Sequence, residues 1–256
     1  TVNSQQSTVN SQQSTVNSQQ STVNSQQSTV NSQQSIVNSQ QSTVNCYKTP
    51  KTMTTDALFE QLKHPNPHLR DRAMFEIADS RDEHTISRLV GILDDEDVTY
   101  RRAAVKALGA IGEDAVSPVV DALLNSENVT VRGSAAKVLA QIAINYPDLP
   151  FPEVGLQGLK KAIDDPNPVV HIASVMALGQ MGSSAFEILL ESLKTTDNVA
   201  VQVAIVNALA SVGDRRCVEV LTTFANDESV DSYVRESATS SLSRLDLVMN
   251  YKRADS

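Results

Sequence analysis

Asp97-Val-Thr-Tyr-Arg-Arg-Ala-Ala-Val-Lys-Ala-Leu-Gly-Ala-Ile-Gly112 reads as a helix with its own start and stop. Asp97 is a good N-cap, because its carboxylate accepts from backbone N–H groups that a first turn leaves unpaired. The Ala/Leu-rich run from Tyr100 to Ile111 favours helix, and Gly112 can take the conformation that ends one. Four residues past the cap stands Arg101, and seven beyond that stands Leu108.

The same frame recurs along the chain. It appears as Asn66–Arg70, Asp97–Arg101, Asn128–Arg132, Asn167–His171, Asn198–Gln202 and Asp231–Arg235, at intervals of 31, 31, 39, 31 and 33 residues. Seven residues past each Arg-type position comes an aliphatic side chain: Ile77, Leu108, Leu139, Leu178, Leu209 and Leu242. Pro67 and Pro168 follow their caps directly, where a missing N–H costs nothing. Gly182 and Gly213 are expected to stop two more of these helices as Gly112 stops the first. Between consecutive capped helices there is room for another, for example over 117–124 and 185–194. No stretch alternates with period two for long, so strands are not expected. A helix pair of this length cannot hide its apolar face alone, and stacking supplies a continuous core. The expected class is therefore all-α, an α-solenoid of about six two-helix repeats over 53–249, with a short tail at 250–256.

The long interval has a local cause. Eight extra residues fall in Asn145-Tyr-Pro-Asp-Leu-Pro-Phe-Pro152, whose three prolines forbid helix and favour an extended loop. That loop divides the array into three repeats before it and three after.

Residues 1–45 follow another rule. Thr-Val-Asn-Ser-Gln-Gln-Ser runs five times from Thr1, with a sixth copy from Ile36 and a partial seventh ending at Asn45. One aliphatic residue per heptad makes no coiled-coil seam and buries too little to offset backbone ordering, so disorder is expected over 1–52. A tandem ACAGTCA read through its three phases spells the whole heptad. The segment thus reads as translated intergenic repeat DNA, with Met53 as the native start.

All 30 acidic and 21 basic residues of the 256-residue chain lie beyond residue 45, giving a net charge of -9. An acidic balance argues against nucleic-acid binding, which needs clustered cations to release counterions. No apolar run is long enough to cross a bilayer, so no membrane insertion is expected. The two cysteines, Cys46 and Cys217, make no disulfide framework and fit a reducing cytoplasm.

Catalytic constellations are thin. His64, His68, His84 and His171 lack metal-ligand spacing, so no metal is expected. Cys217 follows Asp214-Arg-Arg216 near a helix start, which would lower a thiol pKa, but its apolar neighbours favour a place in the core. The run Asp94-Asp-Glu-Asp97 reads as a helix-capping acidic turn. The Arg-type column (Arg70, Arg101, Arg132, His171, Gln202, Arg235) is expected to bond inter-helix carbonyls as a structural ladder, because a feature present in every repeat speaks for the fold.

The informative positions are those that vary. One and five residues past the Arg-type position, neighbours on one helix stripe are Asp71/Phe75, Arg102/Lys106, Gly133/Lys137, Ile172/Met176, Val203/Asn207 and Glu236/Ser240. If the capped helices line the inner curve, that curve is cationic at Arg102, Lys106 and Lys137, and apolar at Ile172, Met176 and Val203, with Asn207 beside them. Such a groove suits an open-chain tetrapyrrole, a flat apolar body bearing two propionates, or an acidic-rimmed helix of a protein partner.

The period, the Val-Arg pairs at Val131-Arg132 and Val234-Arg235, and the Ala-Leu-Gly-x-Ile/Met-Gly signature at 107–112 and 177–182 resemble HEAT repeats in the short form found in E/F-type phycobilisome lyases. His64-Pro-Asn-Pro-His-Leu-Arg70 and Tyr233-Val-Arg-Glu-Ser-Ala238 resemble the phycoerythrin-specific branch of that family. The resemblance implies a lyase subunit or chaperone-like component that assists thioether attachment of phycoerythrobilin to a cysteine of phycoerythrin. It implies a second E/F-type subunit as partner, the bilin as a transient ligand and no permanently bound cofactor. It offers no catalytic residue that can be carried over by position. The same family includes non-catalytic scaffolds that act in phycobilisome assembly or degradation, and these supply the alternative reading.

Overall fold

In the computed structural model of the chain, residues 53–254 are described. Residues 1–52, with the heptad segment and Cys46, and the last two residues of the tail lie outside the described residues, so the reading of 1–52 as translated repeat DNA falls there.

Six helix pairs follow one another: α1 (Thr55–Gln61) with α2 (Pro67–Asp79), α3 (Thr85–Gly91) with α4 (Val98–Ile111), α5 (Val116–Asn125) with α6 (Val129–Asn145), α7 (Glu153–Ala162) with α8 (Pro168–Leu178), α9 (Phe186–Thr195) with α10 (Val199–Val212), and α11 (Arg216–Asn226) with α12 (Ser232–Ala254). No strand occurs among the described residues. The second helices α2, α4, α6, α8, α10 and α12 pack each on the next, and α3, α5 and α7 form a second layer beside them. This is the α-solenoid expected from the repeat.

Each of the six Asn/Asp residues caps its helix. Asn66 accepts from the His68 N–H at 3.0 Å, Asp97 from Thr99 at 2.7 Å, Asn128 from Thr130 at 2.7 Å, Asn167 from Val169 at 3.0 Å, Asn198 from Ala200 at 3.0 Å and Asp231 from Tyr233 at 2.8 Å. A cap of this kind stabilises by about 1 kcal/mol. Between the layers lies an aliphatic core: Leu123, Leu159 and Leu193 from first helices, and Ile77, Leu108, Leu139, Leu178 and Leu209 from second helices, are all buried.

Two of the three expected glycine stops are made as expected. Gly112 and Gly213 cap α4 and α10 with φ of 81° and 68°. The third is not. Helix α8 ends at Leu178, with Gly179 at its C-cap in ordinary helical conformation. The chain then tightens, with Gln180 donating to the Ala177 carbonyl and Met181 to that of Leu178, both at 2.9 Å. Gly182, at φ 63°, instead opens the 3-10 turn Gly182–Ala185 that leads into α9.

Candidate functional site

The column of Arg-type residues is occupied in bracing the repeats. Arg70 donates through Nη1 to the carbonyls of His64 and Pro65 at 2.6 and 2.9 Å, and Arg132 in the same way to Ser126 and Glu127 at 2.9 and 3.2 Å. Arg101 holds the carbonyls of Asp95 and Glu96 likewise, and Gln202 that of Thr196 at 2.9 Å. Each ties its second helix to the loop five or six residues before it. The ladder expected at six positions departs at two. His171 is too short and lacks a forked donor; its Nε2 is buried without a partner, and burial lowers its pKa against the pull of Asp164 and Asp165. Arg235 leaves its buried Nε unpaired.

The varied stripe is open to solvent. Arg102, Lys106 and Lys137 are exposed, and Met176 is 63% exposed. Ile172, Val203 and Asn207 are half-buried. Ile172 and Met176 are therefore not sealed between the two helix layers. Arg102 and Lys137 make no hydrogen bond or ion pair with other described residues, whereas Lys106 pairs with Asp71 at 3.2 Å. Asn207 is engaged from the next repeat: its Oδ1 accepts from Arg244 at 2.7 Å, which ties α10 to α12.

Around the stripe the surface is hollowed. A cleft of about 180 Å³ lies between α2 and α4, with Arg70, Asp71, Thr99, Arg102 and Lys106 on its walls. It shares Asp71 and Lys106 with a larger cleft of about 620 Å³, whose apolar walls are Met74, Phe75, Ala78, Ala110 and Tyr146. Phe75 is 58% exposed. Both clefts belong to the first three repeats.

Tyr146, the residue at the C-terminal end of α6, closes the far end of the larger cleft because α6 packs on α4. Its hydroxyl donates to the Ala110 carbonyl at 2.5 Å, and its ring lies over Gly112. Met74 and Tyr146 were not evident as site residues in the sequence, and Phe75 stood out only by its place in the stripe. For Tyr146 the available signal was an aromatic residue opening the one insertion that interrupts the period.

Cys217 is fully buried, and burial pushes its thiol up to about 11, outweighing the opposite pull of Arg216. It belongs to the core. Among the described residues no group of three His, Cys, Asp or Glu side chains is placed to hold a metal ion, and no helix is long and apolar enough to cross a membrane.

A two-layer array of stacked helix pairs is the architecture of a HEAT-repeat protein, and residues 55–140, 116–200 and 156–243 match HEAT repeats. The chain is 57% identical over 201 residues to phycocyanin operon protein Z of Pseudanabaena tenuis, covering 78% of this chain and all of that one. It is 33% identical over 168 residues to the bilin biosynthesis protein CpeZ of Synechococcus sp. WH8020, covering 63% of this chain and 90% of that one. Among solved structures it is similar to a chain of the CpcE–CpcF complex of the phycocyanin lyase from Nostoc sp. PCC7120, at 22% identity and a TM-score of 0.42, covering 60% of this chain and 96% of that one. The chain belongs to the HEAT-repeat phycobilisome-lyase family.

Proposed function

We propose that this chain is an accessory, chaperone-like component of a phycobilin lyase, assisting attachment of phycoerythrobilin to a cysteine of phycoerythrin. The observation that carries the reading is the free cation Arg102 in a cleft that adjoins exposed Phe75, on a face that carries further unpaired charge at Lys137. An acidic chain that collects unpaired cations beside apolar surface is suited to an apolar anion. The relatives support the class of that anion, since one carries bilin biosynthesis in its name.

In the attachment step the acceptor thiol adds across the bilin's ethylidene double bond. One S–C bond forms, the thiol proton ends on carbon, and nothing leaves. Such an addition gains chiefly from holding thiol and bilin in register, which is a large term when two reactants are brought together. Face and cleft supply that register, and a second E/F-type subunit completes the site around the acceptor. The bilin is held transiently, in the cytoplasm where apo-phycoerythrin is made.

Co-expression tests the proposal. Cells making apo-phycoerythrin, bilin and a partner lyase should give more chromophore-bearing subunit when this chain is present. Equal yield and equal soluble apoprotein without it would overturn the reading.

A further inference from the structure

We infer that the cleft between α2 and α4 is a carboxylate subsite, and that Asp71 is a stand-in anion which the ligand's carboxylate displaces from Lys106. The ligand class is an extended apolar molecule bearing carboxylates; its identity as an open-chain tetrapyrrole rests on the function proposed above.

Three cationic groups meet in a space of about 180 Å³. Arg70 is held by two backbone carbonyls through Nη1 alone, so it is fixed in place with the rest of its fork available. Arg102 has no partner among the described residues, and a guanidinium matches a carboxylate with two parallel N–H donors. Lys106 is the third, and its partner is Asp71. The Thr99 hydroxyl adds a neutral donor on the same wall.

Asp71 and Lys106 line both this cleft and the apolar one beside it. A carboxylate bound at Arg102 and Lys106 therefore leaves the rest of its molecule over Met74 and Phe75, with Tyr146 at the far end. A longer ligand fills both hollows at once, while a small free anion fills only the first.

The Lys106–Asp71 pair is about half exposed on both sides, at 55% and 44%. Exposed pairs of this kind are weak and screened, so exchanging one carboxylate for another costs little. While it stays, Asp71 keeps the pocket from presenting three unopposed cations and lowers its attraction for any other anion. The same residue thus sets a threshold: a ligand that gains apolar contact on Phe75 as well as charge can displace it, and a bare carboxylate does so poorly.

The test is an absorbance titration of the full chain with biliverdin, which has two propionates, and with its dimethyl ester, run on wild type, Asp71→Asn and Arg102→Gln. Removing Asp71 should tighten biliverdin by roughly two- to fivefold, the size expected for one exposed charge contact, and leave the ester unchanged. Arg102→Gln should weaken biliverdin by a similar factor, again sparing the ester. Melting temperatures report whether each variant is folded. Equal binding of acid and ester, weaker binding by Asp71→Asn, or no binding of either compound to wild type would overturn the subsite. These outcomes are separate from the co-expression result: a chain that binds biliverdin as expected but leaves chromophore yield unchanged keeps the subsite and loses the function, and the converse holds equally.

Discussion

Arg132 reaches from the third repeat into the fourth and holds both carboxylate oxygens of Asp165, at 2.7 and 3.1 Å, while its Nη1 keeps the carbonyls of its own loop. The two side chains are only 13% and 9% exposed, unlike the surface pairs elsewhere in the array. Asp165 lies six residues before His171, the repeat whose own Arg-type residue has been lost. The preceding repeat thus braces the joint that this repeat cannot brace for itself. Removing one partner of a buried, bidentate pair leaves the other charge stranded, so Arg132→Ala should lose about 3 kcal/mol. For a chain this size that lowers the melting temperature by roughly 6–12 °C. Burial works to raise the Asp165 pKa, but the Arg132 and Asn167 hydrogen bonds outweigh it and leave it lowered. The stability it contributes is therefore present above the ordinary carboxylate range and disappears as pH falls through it. Melting curves at pH 7 and pH 3 should show the wild-type advantage over Arg132→Ala shrinking in acid; an equal gap at both would remove the ion pair as its source.

Gly112 is constrained twice. Its φ of 81° is open to glycine and strained for other residues, and a Cβ built there would lie 2.8 Å from Cε2 of Tyr146. Gly112→Ala should destabilise by about 1–3 kcal/mol from backbone strain, with the ring contact added to that. In a Tyr146→Ala background the contact is gone and the strain remains, so the second loss should be smaller but not zero. Urea midpoints of the two singles and the double would show this non-additivity. Additive losses would mean that the ring does not bear on Gly112.

Much of this fold could be read from sequence because its signals are local. Asn66 or Asp97 caps the helix that begins one residue later, and Leu108 repeats the burial of Ile77 one period on. Gly182 misled because the glycine that ends α8 is Gly179, whose Cβ position would fall 3.2 Å from the backbone of Ala208 on the next second helix. That closeness is tertiary and has no signature in the hexapeptide that ends the helix. The stripe residues followed from helical spacing alone, since residues four apart share a face. Which part of the stripe becomes a cleft did not, because the wall at Tyr146 comes from a contact between repeats, the end of α6 reaching Ala110 at the end of α4.

Cys217 gives a prediction in alkali. Burial raises its pKa to about 11, so the folded state keeps the proton that the unfolded chain gives up near 9. The corresponding stability is complete below the unfolded value and is lost as pH climbs between the two. Cys217→Ala should be less stable than wild type at pH 8, because it leaves a small void, and the difference should narrow by pH 11. The same burial makes the thiol inert: iodoacetamide at pH 8 should modify the Cys217 peptide in urea and hardly at all in the native chain. Rapid native modification would place the residue outside the core.

Phe75 and Met176 occupy equivalent positions in the first and fourth repeats, both mostly exposed, yet their surroundings differ. Phe75 borders a cleft that contains Lys106 and adjoins Arg102. Met176 stands with Ile172 and the 59% exposed Val169, with Lys137 as the stripe's cation one repeat back. The first setting fits a small apolar anion; the second, whose own stripe positions are uncharged, fits a protein surface. Phe75→Glu should therefore weaken bilin binding several-fold while leaving apo-phycoerythrin binding unchanged, and Met176→Glu should do the reverse. Both substitutions sit on solvated surface and should shift stability by no more than about 0.5 kcal/mol. Arg102→Glu with Lys106→Glu should follow Phe75→Glu, since an anion meets two reversed charges there. Paired measurements of bilin absorbance and apoprotein association on each variant decide the matter. If Met176→Glu removes bilin binding and Phe75→Glu does not, the ligand lies over the later repeats and the division of labour between the two halves is reversed.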